Sequence, residues 1–128
     1  MRDIQNRTDL KVIVELFYEK LLSDKKINHF FEKFRDPKTL AEHLDILVDF
    51  WDNIVFYSGT YQRNAMASHL MLHRGHPMKP EHFDTWLNHL SAAIDKNFQG
   101  DNCHILKTRA LSIATVMRIK INELDQNS

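Results

Sequence analysis

Apolar positions along the chain recur every three or four residues, the spacing that gathers them on one face of a helix. Leu10, Ile13, Val14, Phe17 and Leu21 form the first stripe, with Thr8 as the expected N-cap and Asp9 as a first-turn carboxylate. Tyr18 lies at the edge of that stripe between Val14 and Leu22, so its ring is expected inside with its hydroxyl in need of a partner. A short turn over residues 27–34 carries Phe30, Phe31 and Phe34. Asp36-Pro37 is a helix start signal, and the run behind it aligns Leu40, Leu44, Leu47, Phe50, Trp51 and Ile54. At about 100° per residue, His43 falls within this stripe.

Residues 58–61, with Gly59, end that helix, a weaker helical stretch spans about residues 64–73, and 74–80 read as loop. Pro80 and Glu81 open the next helix, whose inner face is Phe83, Trp86, Leu87, Leu90, Ile94 and Phe98. Gly100-Asp101-Asn102 breaks it, and the last helix presents Leu106, Ala110, Ile113, Met117, Ile121 and Leu124. The pattern predicts an all-α chain of about four long helices and a few short ones, without strands.

Composition narrows the class. The 128 residues form a single expected domain, 1–128, with 1–7 and 125–128 as frayed tails. A hydrophobic fraction of 43% with eight Phe supports one sizeable core, and three Gly with three Pro leave too little punctuation for an all-β fold. Seventeen basic residues cancel seventeen acidic ones, so no clustered basic footprint argues for nucleic acid. No stretch approaches the roughly 18 apolar residues of a membrane span, and the N-terminal MRDIQNRTDL lacks the apolar run of a signal peptide. Cys103 is the one cysteine, which excludes an intrachain disulfide. The expected location is a reducing cytoplasm, with no membrane and no nucleic-acid partner.

Eight histidines raise the question of metal chemistry. Glu42-His43 does not begin a metalloprotease pattern, which needs His-Glu and a second His four residues after the first. His69, His73 and His76 could share a metal, but no carboxylate accompanies them and a loop is a poor cage. Cys103 beside His104 is adjacent in sequence, which does not supply the facing geometry of a nucleophile pair. There is no glycine-rich phosphate loop. An apolar-face histidine with Tyr18 and Trp86 on two other inner faces instead describes an apolar slot with polar donors on one side, and His69 stands apart as a candidate ligand.

The residues that carry this arrangement resemble a known family. Phe17-Tyr18-Glu19-Lys20, Ala41-Glu42-His43 with Phe50-Trp51 downstream, His69-Leu70, and Pro80-Glu81-His82-Phe83-Asp84 leading to Trp86-Leu87 are similar to a truncated haemoglobin of the third group, the bacterial P-type class. The similarity runs over about residues 8–120, and the glycine pairs of the other truncated groups are absent, as the third group implies. The resemblance implies a truncated globin, a two-over-two helical sandwich around haem b. It implies His69 as the proximal iron ligand, in its Ala67-Ser68-His69-Leu70 context, with His73 as the alternative one turn on. Tyr18, His43 and Trp86 match the distal residues, Leu47 faces the ring after His43, and Phe31 matches the ring-stacking aromatic. Arg74, His76 and Lys79 are the candidates for the haem propionates.

Such a site has an open sixth position for O2, NO, CO or peroxide. Hydrogen bonds to a charged acceptor contribute about 1.5–3 kcal/mol each, so the donors Tyr18 and Trp86, with His43 beside them, imply tight O2 binding and slow release. That favours ligand chemistry over oxygen transport: nitric oxide dioxygenase or peroxidase-like activity, fed by a separate reductase. Two other classes stay open on residues alone. One is a hemerythrin-like di-iron O2-binding bundle, although His29, His43, His69 and His73 do not fall into the repeat that such sites use. The other is a cofactor-free helical interaction module.

Overall fold

The N-terminal residues are built into the core rather than left as a tail. In the computed structural model, which describes residues 1–57 and 78–126 with side chains to residue 123, Ile4 is completely buried. Asp3 accepts the main-chain N–H groups of Asn102 at 2.8 Å and Cys103 at 3.2 Å. The Asn102 amide donates to the Ile4 carbonyl at 2.7 Å, and Gln99 N–H donates to the Arg2 carbonyl at 3.0 Å. The expectation of a frayed segment 1–7 is therefore corrected. Its partners lie almost a hundred residues away, beyond the reach of any local pattern. Gly100 sits at φ +150, and a Cβ there would meet the Asp3 carboxylate carbon at 2.5 Å, so the close approach of the two segments requires glycine.

Helix α1 runs Arg7–Ser23. Its N-cap is Asn6, two residues before the expected Thr8, and the Asn6 side chain accepts Asp9 N–H at 3.0 Å. Asp9 is buried and takes both prongs of the Arg2 guanidinium at 2.6 Å each. The expected stripe Leu10, Ile13, Val14, Phe17, Leu21 is buried throughout. A 3-10 helix, Asn28–Arg35, follows, and buries Phe30, Phe31 and Phe34.

Helix α2, Pro37–Phe56, starts where expected: Asp36 accepts Thr39 N–H at 3.0 Å and Pro37 opens the first turn. Its fully buried residues are Leu44, Val48, Trp51, Asp52 and Val55. Leu40, His43, Leu47, Phe50 and Ile54 are only half-buried. At about 100° per residue these are two faces centred roughly 100° apart, one turned to the core and one beside it. The single expected stripe thus splits in two. Tyr57 closes the helix in the left-handed conformation, φ 55.

Helix α3, Pro80–Asp95, and helix α4, Asp101–Gln126, complete the described chain, so 125–126 continue a helix instead of fraying, while 127–128 lie outside the described residues. Helix α1 packs against α2 and α3, and α4 packs against both of those. Phe83, Leu90, Ile94 and Phe98 are buried as expected, as are Leu106, Ala110, Met117 and Ile121 of α4. Each of these side chains except Ala110 contributes about 1.5–3 kcal/mol on leaving water. The described residues are helical or irregular, and no described helix is long and apolar enough to cross a membrane.

Candidate functional site

Where α1, the 3-10 helix and the start of α2 converge, a polar pair is enclosed by aromatic rings. Tyr18 is buried, and its hydroxyl oxygen lies 2.7 Å from His43 Nε2. Phe17, Phe31 and Phe34 meet the Tyr18 ring edge-on with centroids 5.5, 5.7 and 5.6 Å away. His43 stacks on Phe34 at 4.1 Å and 19°. Burial drives the phenol pKa well above its ordinary value, so Tyr18 keeps its proton at neutral pH and remains a donor. With its proton on Nδ1, His43 accepts the phenol proton at Nε2; in the other tautomer, Nε2–H donates to the phenol oxygen.

Phe31, in contact with Tyr18, stands where the 3-10 helix is kinked, φ −119 and ψ 17. Trp86, from α3, is half-buried and rests edge-on against Phe17 at 5.6 Å. Phe31 and Trp86 also face each other across a void of about 10 Å³, closed by Ile27, Phe30, Phe83, Met78 and Met117. The structure thus gathers Tyr18, His43 and Phe31 in direct contact and brings Trp86 to the same cluster through Phe17. Leu47 sits one turn past His43 on the half-buried face of α2. Lys79 is exposed at the start of α3, in none of these contacts. His69, His73, Arg74 and His76 lie outside the described residues.

Three participants escaped the sequence reading. Phe34 was visible as part of an aromatic patch, but its stacking on His43 depends on how α2 folds back. His82 accepts Lys79 N–H at Nδ1, 2.9 Å away, and its ring lies 5.6 Å from that of His29. Burial, then the neighbouring His29, lowers the His82 pKa. Lys79-Pro80-Glu81-His82 does not follow the Ser/Thr-x-x-Glu/Gln capping pattern, so the sequence did not announce this bond. His89 pairs with Asp24 across 65 residues, for which no sequence signal exists. Cys103 is buried, and burial followed by Asp3 pushes its thiol up to about 11, which removes it as a nucleophile.

The donor set can be tested against haem, a large apolar disc that needs one polar side for a ligand. A protonated phenol and an imidazole inside an aromatic enclosure, beside the half-buried apolar face of Leu40, Leu47, Phe50 and Ile54, fit that requirement. The void between Phe31 and Trp86 does not, since it has room for about one water.

Comparison with known proteins establishes the family. The family model of the bacterial-like globins matches residues 3–122, and the chain belongs to that family. It is 24% identical over 112 residues to the group 3 truncated hemoglobin ctb of Campylobacter jejuni, covering 86% of each chain. It is 32% identical over 87 residues to the group 1 truncated hemoglobin GlbN of a Synechocystis species, covering 68% of each. The crystal structure of a group III truncated hemoglobin from Campylobacter jejuni superposes with a TM-score of 0.84 at 22% identity, over 94% of this chain and 95% of that one. The truncated-globin fold expected from the sequence is the fold observed, and membership of the globin family carries haem binding with it.

Proposed function

We propose that the protein is a haem b globin that binds diatomic ligands at a penta-coordinate iron and acts on them, rather than carrying oxygen in bulk. The observation that carries this reading is the 2.7 Å contact between Tyr18 and His43 inside an aromatic enclosure. Haem seated against the α2 face would supply an iron whose sixth position takes O2, NO or CO. His69 is assigned as the proximal ligand, with His73 as the alternative, and Arg74, His76 and Lys79 as propionate partners.

Tyr18 is the principal donor to a ligand's outer atom. Its proton is held by burial, and its ring is fixed by Phe17, Phe31 and Phe34. The Trp86 indole is the second donor, since its N–H can only donate. His43 plays its part in the tautomer whose Nε2–H donates to the phenol oxygen, which leaves the phenol O–H for the ligand and fixes the direction in which it points. The aromatic wall excludes water, which raises the worth of each of these bonds. Two such donors slow O2 release about a hundred-fold or more relative to an apolar pocket. Slow release favours oxidation of nitric oxide to nitrate, or reduction of peroxide, with electrons from a separate reductase in the cytoplasm.

A di-iron bundle finds no support: among the described residues, no three His, Cys, Asp or Glu side chains are grouped to hold a metal. Two spectra test the proposal. An intense absorption band at the blue edge of the visible, shifting on CO addition, is expected of purified protein. The oxygenated ferrous form is then expected to vanish on mixing with nitric oxide, with nitrate as product. Its persistence would remove the dioxygenase reading, and the absence of the band would remove the whole proposal.

A further inference from the structure

Helix α4 has two sides. Cys103, Leu106, Ala110, Ala114, Met117 and Ile121 are buried on the first, and the helix packs on α2 and α3. At about 100° per residue, the opposite side is the row Ile105, Thr108, Ser112, Thr115, Ile119 and Asn122, every one of them exposed. The row carries no charge, although 27% of the chain is charged and solvent-facing helix sides ordinarily hold those charges. Of the seven large apolar side chains exposed among the described residues, four belong to α4: Ile105 at 39%, Leu111 at 56%, Val116 at 44% and Ile119 at 55%. Thr115 donates its hydroxyl to the Leu111 carbonyl at 2.9 Å, which satisfies that group within the helix.

The spacing of the row suits another helix. It steps by 3, 4, 3, 4 and 3 residues, the period with which one helix presents a seam to a second. In an antiparallel pair of identical helices related by a two-fold axis, Ile105 meets Asn122 of the second copy, Thr108 meets Ile119, and Ser112 meets Thr115, each twice. The flanks choose this direction. Arg109, Val116 and Glu123 line one flank, and reversing it on itself sets Arg109 against Glu123 of the second copy, twice, with Val116 on Val116 at the axis. The other flank centres Leu111 on Leu111, with His104 and Arg118 at its ends. Arg109 is exposed and has no hydrogen bond or ion pair among the described residues, and Glu123 has a loose one, to Lys120 at 3.8 Å. A parallel pair would instead set Arg109 beside His104, and Glu123 beside Arg118, which Asp84 of its own chain already holds at 2.5 Å.

We propose that this side of α4 is where a second copy of the chain docks, antiparallel, to form a two-fold dimer. One helix pair buries less than the roughly 1,600 Å² of a standard interface, so the dimer is expected to dissociate in the micromolar range. Sedimentation velocity of haem-loaded protein, from about 5 to 500 μM, reads this directly. The parent is expected to pass from monomer to dimer across that range. Ile119→Lys, at an exposed position, is expected to hold the protein monomeric. Arg109→Glu and Glu123→Arg are each expected to weaken association about ten-fold, and the two together to return it to within about two-fold of the parent.

A parent that stays monomeric at the highest concentration overturns the proposal, whatever else might cover the helix. A dimer that Ile119→Lys leaves intact does the same, because the contact then lies on another face. A double charge reversal that associates no better than the single ones rules out the antiparallel pairing.

Discussion

The N-terminal anchor and the Tyr18–His43 cluster both bury polar groups, and they differ in how completely those groups are satisfied. Asp3 takes N–H groups from Ile4, Asn102 and Cys103, and Asp9 takes two guanidinium bonds and Gln5 N–H. Tyr18, as buried as Asp9, makes one hydrogen bond among the described residues, to a half-buried imidazole on the half-buried face of α2. A saturated network can only hold the chain together. A phenol has one O–H, and in the tautomer where His43 Nε2–H donates to its oxygen that proton is left to meet something that arrives from outside.

This contrast can be broken at either end. The largest effect is expected from Ile4→Ala, which removes a fully buried side chain and should cost about 2–5 kcal/mol in urea unfolding, with O2 release nearly unchanged in the folded protein. Comparable effects of Ile4→Ala on stability and on ligand release would erase the distinction. Tyr18→Phe should do the reverse, speeding O2 release about ten- to hundred-fold while stability moves by about 1 kcal/mol. Stopped-flow release and urea titration on the same sample check both halves.

Gly100→Ala is expected to cost about 1–3 kcal/mol, because its backbone is at positive φ and the new methyl would press on Asp3. The ligand kinetics should not respond. The smallest effect is on pH dependence. Arg2 first, against burial, and then Gln5 N–H hold the Asp9 carboxyl below its ordinary pKa. A lowered folded pKa means stabilisation that is complete above the ordinary carboxylate value of about 4 and lost as pH falls through the lowered one. Stability measured from pH 5 down to 2 should therefore fall less steeply in Asp9→Asn than in the parent. Equal slopes would mean that Asp9 contributes nothing to the anchor's acid sensitivity.

How much of this was legible depends on sequence distance. The buried stripe of α1, the Phe83, Leu90 and Ile94 positions of α3, the Asp36-Pro37 start and the Gly100 break are local patterns, and the structure keeps them; Trp86 and Leu87 on α3 are half-buried. The N-cap of α1 falls two residues early, at Asn6, because two cap-competent side chains stand close together and the docking of residues 1–5 decides between them. On α2, periodicity alone merged a core face with a second apolar face, since both are hydrophobic and adjacent. That merged stripe hid the most informative feature of the site: His43 lies on the half-buried face, not on the core face.

The chain's own sequence determined the helices, their inner faces and the residues able to act: a tyrosine, a tryptophan and histidines in apolar surroundings. These follow from spacing and side-chain chemistry, which act within a few turns. Only the tertiary structure decided that Tyr18 meets His43, that Asp3 caps α4, and that Asp24 reaches His89. Each of those pairs joins residues 25 to 100 positions apart. Nothing local encodes such a meeting, because it is the packing of whole helices against one another that brings the two side chains within hydrogen-bond reach.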